Sequence, residues 1–505
     1  MGRKWGVPKR WSDATLIALL ALGLYWVTLA PTVLWGDSGH LQLQAVKGVL
    51  QASAGSHPLW VWIAHQFARI PVGDVAARVN LVSALFAALT VGLLYLILRE
   101  GGLGREPAAL AVLAFGISHT FWSTAVCAEV YSLTLALMAT LVWLGLRWYH
   151  TGGVCYLAWA GLVAGLGLAA HLMVVLYAPA LVWLACRRRK RLTGLGLAVF
   201  AAGLMIGLLP LGLLLMRDAR TMALSGREAL RWALFTFEGY DFGGELFDFS
   251  LRLLPSDTLQ WLVFLGLQFV GLAAGCGVIG AVSVWKAAER DLAAFLALLY
   301  VGSMAFAFAY RVGDRYVFYL PSYIPFAAWI GYGVTWGLGR LRRMELSPRA
   351  EGWVGAATAA LLLGVPVGAY RLAPRLVSQG ITIRDARRVP GPNSSYFFLW
   401  PAKAGYDDAR AFAIAALDAA PDHAVLLADP TLASPMQFLQ EVEGLRPDVT
   451  VRYCCWDIEG ALAEAGERPV ALGDLAAEIY PVAWLEQEYQ LSPRGPIHVL
   501  EKRVP

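Results

Sequence analysis

The sequence predicts a mainly α-helical, polytopic membrane protein with a small α/β domain at its C-terminal end. Of its 505 residues, 58% are hydrophobic and only 15% are charged, whereas ordinary globular proteins are apolar over about half of their residues. Long apolar runs recur through the first three quarters of the chain, and short β-like runs appear only in the last quarter. We therefore expect lipid to be the solvent for most of the chain.

The apolar runs have the length of membrane spans. A bilayer core about 30 Å thick requires about 20 apolar residues per helix. On that scale we predict about eleven spans, at residues 13–34, 78–98, 107–121, 126–146, 154–169, 171–186, 193–215, 258–285, 292–310, 316–338 and 352–370. They form a membrane domain over residues 1–371.

The basic residues predict the orientation of these spans. Lys and Arg cluster at the N-terminus and in the loops that follow the even-numbered predicted spans. Residues 187–191, after the sixth span, are an example. Because short basic loops stay in the cytoplasm, the N-terminus is expected there. Two long loops, at 35–77 and 217–257, and the C-terminal domain are then expected outside. The same rule explains the net charge of +5 without a nucleic-acid partner.

The last part of the chain, residues 372–505, predicts a soluble α/β domain. Short β-like runs at 424–427, 449–453 and 497–500 alternate with helix-like stretches. No glycine-rich phosphate loop opens any of these helices. The six cysteines form no disulfide framework, and we interpret the adjacent Cys454 and Cys455 as small buried residues.

The most informative residues follow the first span directly. Trp35, Gly36, Asp37, Ser38, Gly39 and His40 stand at the level of the lipid headgroups. A carboxylate at that depth is partly desolvated, which makes Asp37 a candidate general base. The alternative is that Asp37 caps a short helix with help from Ser38, and the residues alone favour neither interpretation.

Three further residues carry polar chemistry within apolar surroundings. His57 precedes a stretch of aromatic residues with His and Arg at helical spacing, which predicts a helix along the membrane surface. His57 binds a phosphate or an acceptor, or makes an ordinary structural hydrogen bond. Glu129, near the outer end of a helix, requires a partner or contact with water. His171, within an apolar run, is more typical of a histidine paired with a neighbouring helix.

A fourth cluster, at an outer helix entrance, contains Arg311, Asp314, Arg315 and Tyr316. The guanidinium fork suits phosphate oxygens, and tyrosines line sugars or anchor at the interface. An Arg–Asp salt bridge that closes a loop is the alternative. The sequence has no cluster with metal-ligand spacing, and we expect no metal or cofactor requirement.

These motifs together resemble a known family. The runs at 35–41, 57–59, 78–83 (Arg-Val-Asn-Leu-Val-Ser), 121–133 and 313–323 (Gly-Asp-Arg-Tyr-Val-Phe-Tyr-Leu-Pro-Ser-Tyr) are similar to the protein O-mannosyltransferase-like membrane proteins, domain of unknown function 2723, of the glycosyltransferase-C superfamily. The likeness covers most of residues 10–340 and recurs weakly at 442–449. The chain departs from the family pattern at His40, where many relatives are acidic, and after His57, where a His-Pro-Pro-Gly motif is common.

The resemblance implies a glycosyltransferase that moves a sugar, a mannose-like hexose, from a polyprenyl phosphate to the hydroxyl of a protein or glycan acceptor outside the membrane. Asp37 matches the catalytic aspartate, and a single base acting in a direct displacement predicts inversion. Arg315, with Arg311, is expected to stabilise the departing phosphate. The remaining predicted substrate contacts are His40, His57, Glu129, Asp314 and Tyr316.

Two other function classes remain open on the sequence. Ionisable groups within helices also mark the paths of secondary transporters, although we find no repeated halves. A non-catalytic scaffold would use the C-terminal domain to bind a partner. The residue usage and topology fit a bacterial inner membrane, and an endoplasmic reticulum membrane predicts the same topology.

Overall fold

Helices form the first three quarters of the chain, as its composition requires. The computed structural model describes residues 7–237, 240–241, 243–244, 250–286, 290–344, 347–377, 389–390, 394–454, 457–477 and 479–503. The helices of the first part are α1 (Val7–Val27), α2 (Gly36–Lys47), α3 (Pro58–Ala68), α4 (Val75–Glu100), α5 (Arg105–Gly116), α6 (His119–Ala125), α7 (Tyr131–Thr151), α8 (Val154–Ala170), α9 (Ala178–Arg187), α10 (Gly194–Thr221), α11 (Gly226–Phe235), α12 (Leu254–Gln268), α13 (Leu272–Lys286), α14 (Arg290–Ala309), α15 (Leu320–Arg342), α16 (Pro348–Ala359) and α17 (Val365–Val377).

Short segments of other geometry join some of these helices. Two 3₁₀ turns, Leu172–Tyr177 and Arg315–Tyr319, lead into α9 and α15, and a π-helical stretch, Ala360–Gly364, joins α16 to α17. A small hairpin of β1 (Thr236–Phe237) and β2 (Tyr240–Asp241) follows α11. The predicted outer loop at 35–77 thus contains two helices, α2 and α3, and the predicted surface helix after His57 is α3.

Several helices have the length and apolarity of membrane spans. Among the described residues, five are long and apolar enough, and there are up to seven if each of two bent pairs counts as one span. These pairs are α5 with α6, bent by 67°, and α12 with α13, bent by 113°. The other predicted spans lie on helices that are shorter or less apolar. The chain is thus a multi-pass membrane protein, and the number eleven stays a prediction.

Glycines bring α8 and α10 into backbone contact. An added Cβ at Gly165 would lie 2.7 Å from the carbonyl carbon of Gly207, and one at Gly203 would lie 2.9 Å from the amide nitrogen of Leu162. Only 6% of an apolar 18-residue stretch of α10 is buried inside the protein. In lipid, close packing of small residues replaces the hydrophobic effect as the force that joins helices. This glycine seam is therefore what attaches α10 to the rest of the helices.

The C-terminal region forms the predicted α/β unit. Its helices are α18 (Ser394–Leu399), α19 (Asp408–Ala419), α20 (Pro430–Glu443), α21 (Ile458–Ala465) and α22 (Val482–Glu488), and its strands are β3 (Val425–Ala428), β4 (Thr450–Tyr453), β5 (Val470–Leu472), β6 (Tyr489–Arg494) and β7 (Ile497–Lys502). The strand order is β4-β3-β5-β7-β6. Strand β3 is parallel to β4 and β5, and β7 is antiparallel to β5 and β6.

Three of these strands, β3, β4 and β7, lie where the sequence predicts them. Strand β5 has only three residues, too short for a periodic pattern. Strand β6 contains Pro493, which an edge strand tolerates because one side of its ladder is unpaired. Helix α17 runs from Val365 through residue 371 to Val377. Cys454 is free and buried, and Cys455 lies outside the described residues.

Substituting Gly203 by Ala should destabilise the protein. The added methyl group has no room against the backbone of α8, and such overpacking costs on the order of 1–3 kcal/mol. Gly212→Ala is the matched control, since it lies on the same helix and nothing stands within 4 Å of its added Cβ. Thermal unfolding in detergent should show a lower midpoint for Gly203→Ala only. Equal midpoints for the two variants would contradict the close packing of α8 and α10.

Candidate functional site

A cavity of about 330 Å³ lies between the outer loops and the helix ends. Its lining includes three carboxylates, three histidines, two tyrosines and an apolar remainder. The lining residues are Asp37, His40, Leu41, Ala54, Gly55, His57, Glu129, Val130, Tyr131, His171, Leu172, Met173, Leu176, Leu234, Phe235, Phe306, Tyr310, Val312, Asp314 and Phe318. Five of the eight predicted site residues therefore meet in one place, together with His171.

Asp37 stands in the first turn of α2, where the positive end of the helix dipole favours a carboxylate. The N-cap of α2 is Trp35, and no side chain caps this end of the helix. The capping interpretation of Asp37 and Ser38 is therefore wrong. Ser38 instead donates a hydrogen bond to Glu129 Oε1 over 3.1 Å. Asp37 opens onto the cavity, and its removal from bulk water raises its pKa above the ordinary value.

Two more carboxylates line the same cavity. Glu129 has the partner that its position requires, in the hydroxyl of Ser38. Asp314 precedes the 3₁₀ turn at Arg315–Tyr319. Burial, and then the charge of Asp37, raise the pKa of Asp314 to about 7. The cavity thus holds less negative charge at neutral pH than its three carboxylates suggest.

His40 connects the cavity wall to the C-terminal domain. Its Nδ1 lies 3.2 Å from the hydroxyl of Tyr453, and its Nε2 lies 2.7 Å from Nε2 of Gln44. Burial is the main cause that lowers the pKa of His40 to about 4, so its ring is neutral at pH 7. Because both ring nitrogens have protein partners, His40 holds α2 in place and has no free nitrogen for a substrate.

His57 and His171 form a stacked pair on the cavity wall. Their ring centroids are 4.9 Å apart with an interplanar angle of 19°. Nδ1 of His57 lies 2.9 Å from the carbonyl oxygen of Ala170, and Nδ1 of His171 accepts a hydrogen bond from the amide of Met173. The prediction that His171 pairs with a neighbouring helix agrees with its stacking on His57, the N-cap of α3, and the ring also lines the cavity.

Arg311 and Arg315 do not reach the cavity lining. Both form ion pairs with Asp257 of α12, at 2.6 and 2.7 Å. Arg315 also donates to the carbonyl oxygens of Ala307 and Phe308, with only 7% of its side chain exposed. The expectation that these arginines stabilise a departing phosphate is therefore not met in this conformation, because their donors already hold α12 against the end of α14.

Tyr316 is not one of the lining residues, but it lies next to them. Its ring packs near that of Phe264, with centroids 6.3 Å apart, and its hydroxyl interacts electrostatically with Asp314, Glu129 and Asp37. The tyrosines that line the cavity are Tyr131 and Tyr310. The predicted sugar contact by Tyr316 stays a prediction.

The apolar wall of the cavity was not predicted. Leu172, Met173 and Leu176 come from the 3₁₀ turn after α8, and Leu234 and Phe235 come from α11, inside the predicted second outer loop. Single apolar residues in a chain with 58% hydrophobic residues give no signal of a site. The resulting cavity is polar on one part of its surface and apolar on another, as an amphiphilic ligand requires.

The C-terminal domain holds the helix that carries Asp37. Helix α20 packs directly on α2, where an added Cβ at Gly39 would lie 3.1 Å from Cβ of Ser434. Trp35 Nε1 donates to the hydroxyl of Tyr406 over 2.8 Å, and its ring contacts that of Phe412. With the link from His40 to Tyr453, these contacts bind α2 along its length to the domain.

Among the described residues, no group of three or more His, Cys, Asp or Glu side chains has the geometry to hold a metal ion.

Comparison with known proteins adds the family likeness. Residues 37–194 match the family model described as the N-terminal domain of protein O-mannosyl-transferase TMEM260. Protein O-mannosyl-transferase TMEM260 of Mus musculus is 32% identical over 126 residues, which cover 25% of this chain and 18% of the mouse protein. The matched part thus spans less than a fifth of that relative.

Solved structures extend the likeness to the whole chain. ArnT from Cupriavidus metallidurans, in the apo state, has a TM-score of 0.59 and 16% identity, covering 96% of this chain and 97% of ArnT. At that identity the likeness shows the fold alone. The S. cerevisiae protein O-mannosyltransferase Pmt1-Pmt2 complex bound to the sugar donor has a TM-score of 0.34 at 15% identity, over 44% of this chain and 35% of that one, which is too low to add to it. The chain is therefore similar to the N-terminal domain of protein O-mannosyl-transferase TMEM260 over residues 37–194, and it shares the fold of ArnT over nearly its whole length.

Proposed function

We propose that this protein is a membrane glycosyltransferase that moves a sugar from a polyprenyl phosphate to an acceptor hydroxyl on the outer side of the membrane. The observation that carries the proposal is Asp37, a carboxylate with a raised pKa that opens onto a cavity with one polar and one apolar part. An isoprenoid chain suits the apolar part, and a sugar suits the carboxylates and tyrosines. The likeness to protein O-mannosyl-transferase TMEM260 favours a mannose-like hexose and a protein or glycan acceptor.

The proposed reaction is a direct displacement at the sugar carbon. Asp37 accepts the proton of the acceptor hydroxyl, whose oxygen forms a bond to the sugar carbon. The bond from that carbon to the phosphate oxygen breaks, and the polyprenyl phosphate leaves with the electron pair. One base and no covalent intermediate give inversion at the sugar carbon. A polyprenyl phosphate is a sufficient leaving group, so the proposal includes no metal or other cofactor.

The other cavity groups have binding roles in this proposal. Glu129 and Asp314 accept hydrogen bonds from sugar hydroxyls, and Asp314, with its pKa near 7, also donates one when protonated. The basic loops favour a cytoplasmic N-terminus, with the cavity and the C-terminal domain outside. We propose a bacterial inner membrane as the location, from the composition of the chain.

Replacing Asp37 by Asn should abolish transfer. The amide cannot accept the acceptor proton, and loss of a general base reduces kcat by about 10²- to 10⁴-fold. Sugar transfer from a labelled polyprenyl-phosphate hexose is measured in detergent, where no gradient exists to drive a transporter. Asp422→Asn is the control, since its side chain is 96% exposed on the C-terminal domain.

Two results would count against this assignment. Transfer at the wild-type rate by folded Asp37→Asn protein would remove Asp37 from the reaction. No transfer by the wild type, together with accumulation of a labelled solute in vesicles, would favour a transporter in its place.

Transfer should fall as the pH falls through the raised pKa of Asp37. The base acts only when deprotonated, so activity is lost on the acid side, at a pH above the ordinary carboxyl range. Asp314→Asn removes a neighbouring negative charge and should move this acid limb to lower pH. The measurement is the pH profile of kcat for both proteins. An acid limb that Asp314→Asn leaves unmoved would show that Asp37 and Asp314 do not interact.

Removing the hydroxyl of Tyr453 should lower kcat, because it weakens the attachment of α2, the helix that carries Asp37. Tyr453→Phe deletes the hydrogen-bond partner of His40 Nδ1. Loss of one such bond costs about 1 kcal/mol, and if that whole cost is added to the activation barrier, kcat falls about fivefold. The control is Tyr489→Phe, on β6 at the far edge of the sheet. If the domain serves only to recognise the acceptor, Tyr453→Phe should change the acceptor KM and leave kcat at the wild-type value.

A further inference from the structure

The cavity presents a problem of charge for a phosphate ligand. Its lining contains three carboxylates and, among the described residues, no Lys or Arg side chain. The two arginines nearest in sequence, Arg311 and Arg315, lie outside the lining and share Asp257 as an ion-pair partner. A lipid phosphate requires hydrogen-bond donors or positive charge at close range. The histidines are the lining residues that can supply both.

His57 is held in a conformation that costs free energy. Its backbone has φ 46° and ψ 54°, a left-handed conformation that disfavours residues with a Cβ by roughly 1–2 kcal/mol. Strain of this kind persists where the surrounding structure imposes it, often at a ligand site. The conformation directs the ring to the cavity wall, where Nδ1 lies within hydrogen-bond distance of the Ala170 carbonyl oxygen. Nδ1 is therefore the protonated nitrogen, and Nε2 is the nitrogen left for a ligand.

A hydrogen bond from the main chain fixes the orientation of the His171 ring. Its Nδ1 accepts the amide hydrogen of Met173, so the neutral ring carries its hydrogen on Nε2. This leaves an N–H donor for the cavity, beside the stacked ring of His57. His40 does not share this role, because both of its nitrogens have protein partners. The stacked pair is thus the imidazole group available to a ligand.

The location of the pair matches the order of parts in a lipid-linked sugar. His171 is followed directly by Leu172 and Met173, which belong to the apolar wall. Asp37 and Glu129 belong to the polar part of the same lining. A phosphate between an isoprenoid and a sugar would occupy the region where apolar wall and carboxylates meet.

From these contacts we infer that His57 and His171 form the subsite for the phosphate of a lipid-linked donor. The inference rests on the proposed function and adds to it the group that binds the phosphodiester. His171 donates through Nε2, and His57 donates through Nε2 once it takes up a proton with the anion. The pair replaces Arg311 and Arg315 in the role that the sequence assigns to them.

The test uses asparagine at each histidine. Asparagine tolerates the left-handed backbone of His57, and its side-chain oxygen can still accept the Met173 amide at position 171. Both changes remove Nε2. The control is His65→Asn on α3, whose ring likewise contacts a main-chain carbonyl, that of Ala45, outside the cavity lining. All proteins are full-length and purified in detergent.

The measurement is the Kd for a polyprenyl monophosphate without sugar, with polyprenol and inorganic phosphate as separate ligands. We expect His57→Asn and His171→Asn each to weaken polyprenyl-phosphate binding by about tenfold, the loss of one charge-assisted hydrogen bond. Polyprenol binding should be the same in all proteins, and inorganic phosphate should bind weakly. His65→Asn should bind polyprenyl phosphate as the wild type does.

The outcomes separate this inference from the proposed function. Unchanged polyprenyl-phosphate binding in both histidine variants would overturn the phosphate subsite, even if transfer still depends on Asp37. Equal weakening of polyprenol binding would also overturn it, since the loss would then lie in the apolar wall. Binding that depends on the histidines without any sugar transfer would support the phosphate subsite and reject the transferase.

Discussion

The site depends on how helix α2 is held. This short helix carries Asp37 and has no side-chain cap, so its position comes from packing on both sides. The membrane helices contact it through Ser38 and Glu129, and the C-terminal domain contacts it through α20, Tyr406 and Tyr453. Gly39 permits the close approach because it has no Cβ. Asp37 is thus fixed at the cavity wall by two parts of the chain that are far apart in sequence.

The charged residues at and near the cavity fall into two groups. Asp257 forms ion pairs with both Arg311 and Arg315 in a network that joins α12 to the end of α14. The cavity lining carries carboxylates, and loss of contact with bulk water raises the pKa values of Asp37 and Asp314. Removing Asp257 would leave two guanidinium groups without their counter-charge, at a cost of several kcal/mol. The two arginines therefore hold α12 in place, and the cavity lining itself contains acids, imidazoles and tyrosines.

Helices α8 and α10 of the membrane part are held together by close packing. Lipid removes most of the hydrophobic advantage of helix contact, so α10 relies on glycines that let two backbones touch. Helix α8, its partner, ends at the residue before His171. The seam that attaches α10 therefore lies on the same helix that positions the histidine pair, which connects helix packing to the cavity wall.

The sequence by itself determined the helical membrane class, the α/β end of the chain and the strands β3, β4 and β7, and it singled out Asp37, His57 and Glu129, which line one cavity. These follow from composition, apolar length and unusual polar residues in apolar surroundings, which are local properties. Tertiary structure decided the rest. Arg311 and Arg315 have the residue type for a phosphate site, but their ion pairs with Asp257 keep them out of the cavity lining. His171 and the apolar wall belong to the cavity because the start of α3, the turn after α8 and α11 lie together there. Local sequence patterns do not predict that contact. The physical reason is that the role open to a side chain depends on the residues that contact it in the folded protein, and those residues come from distant parts of the chain.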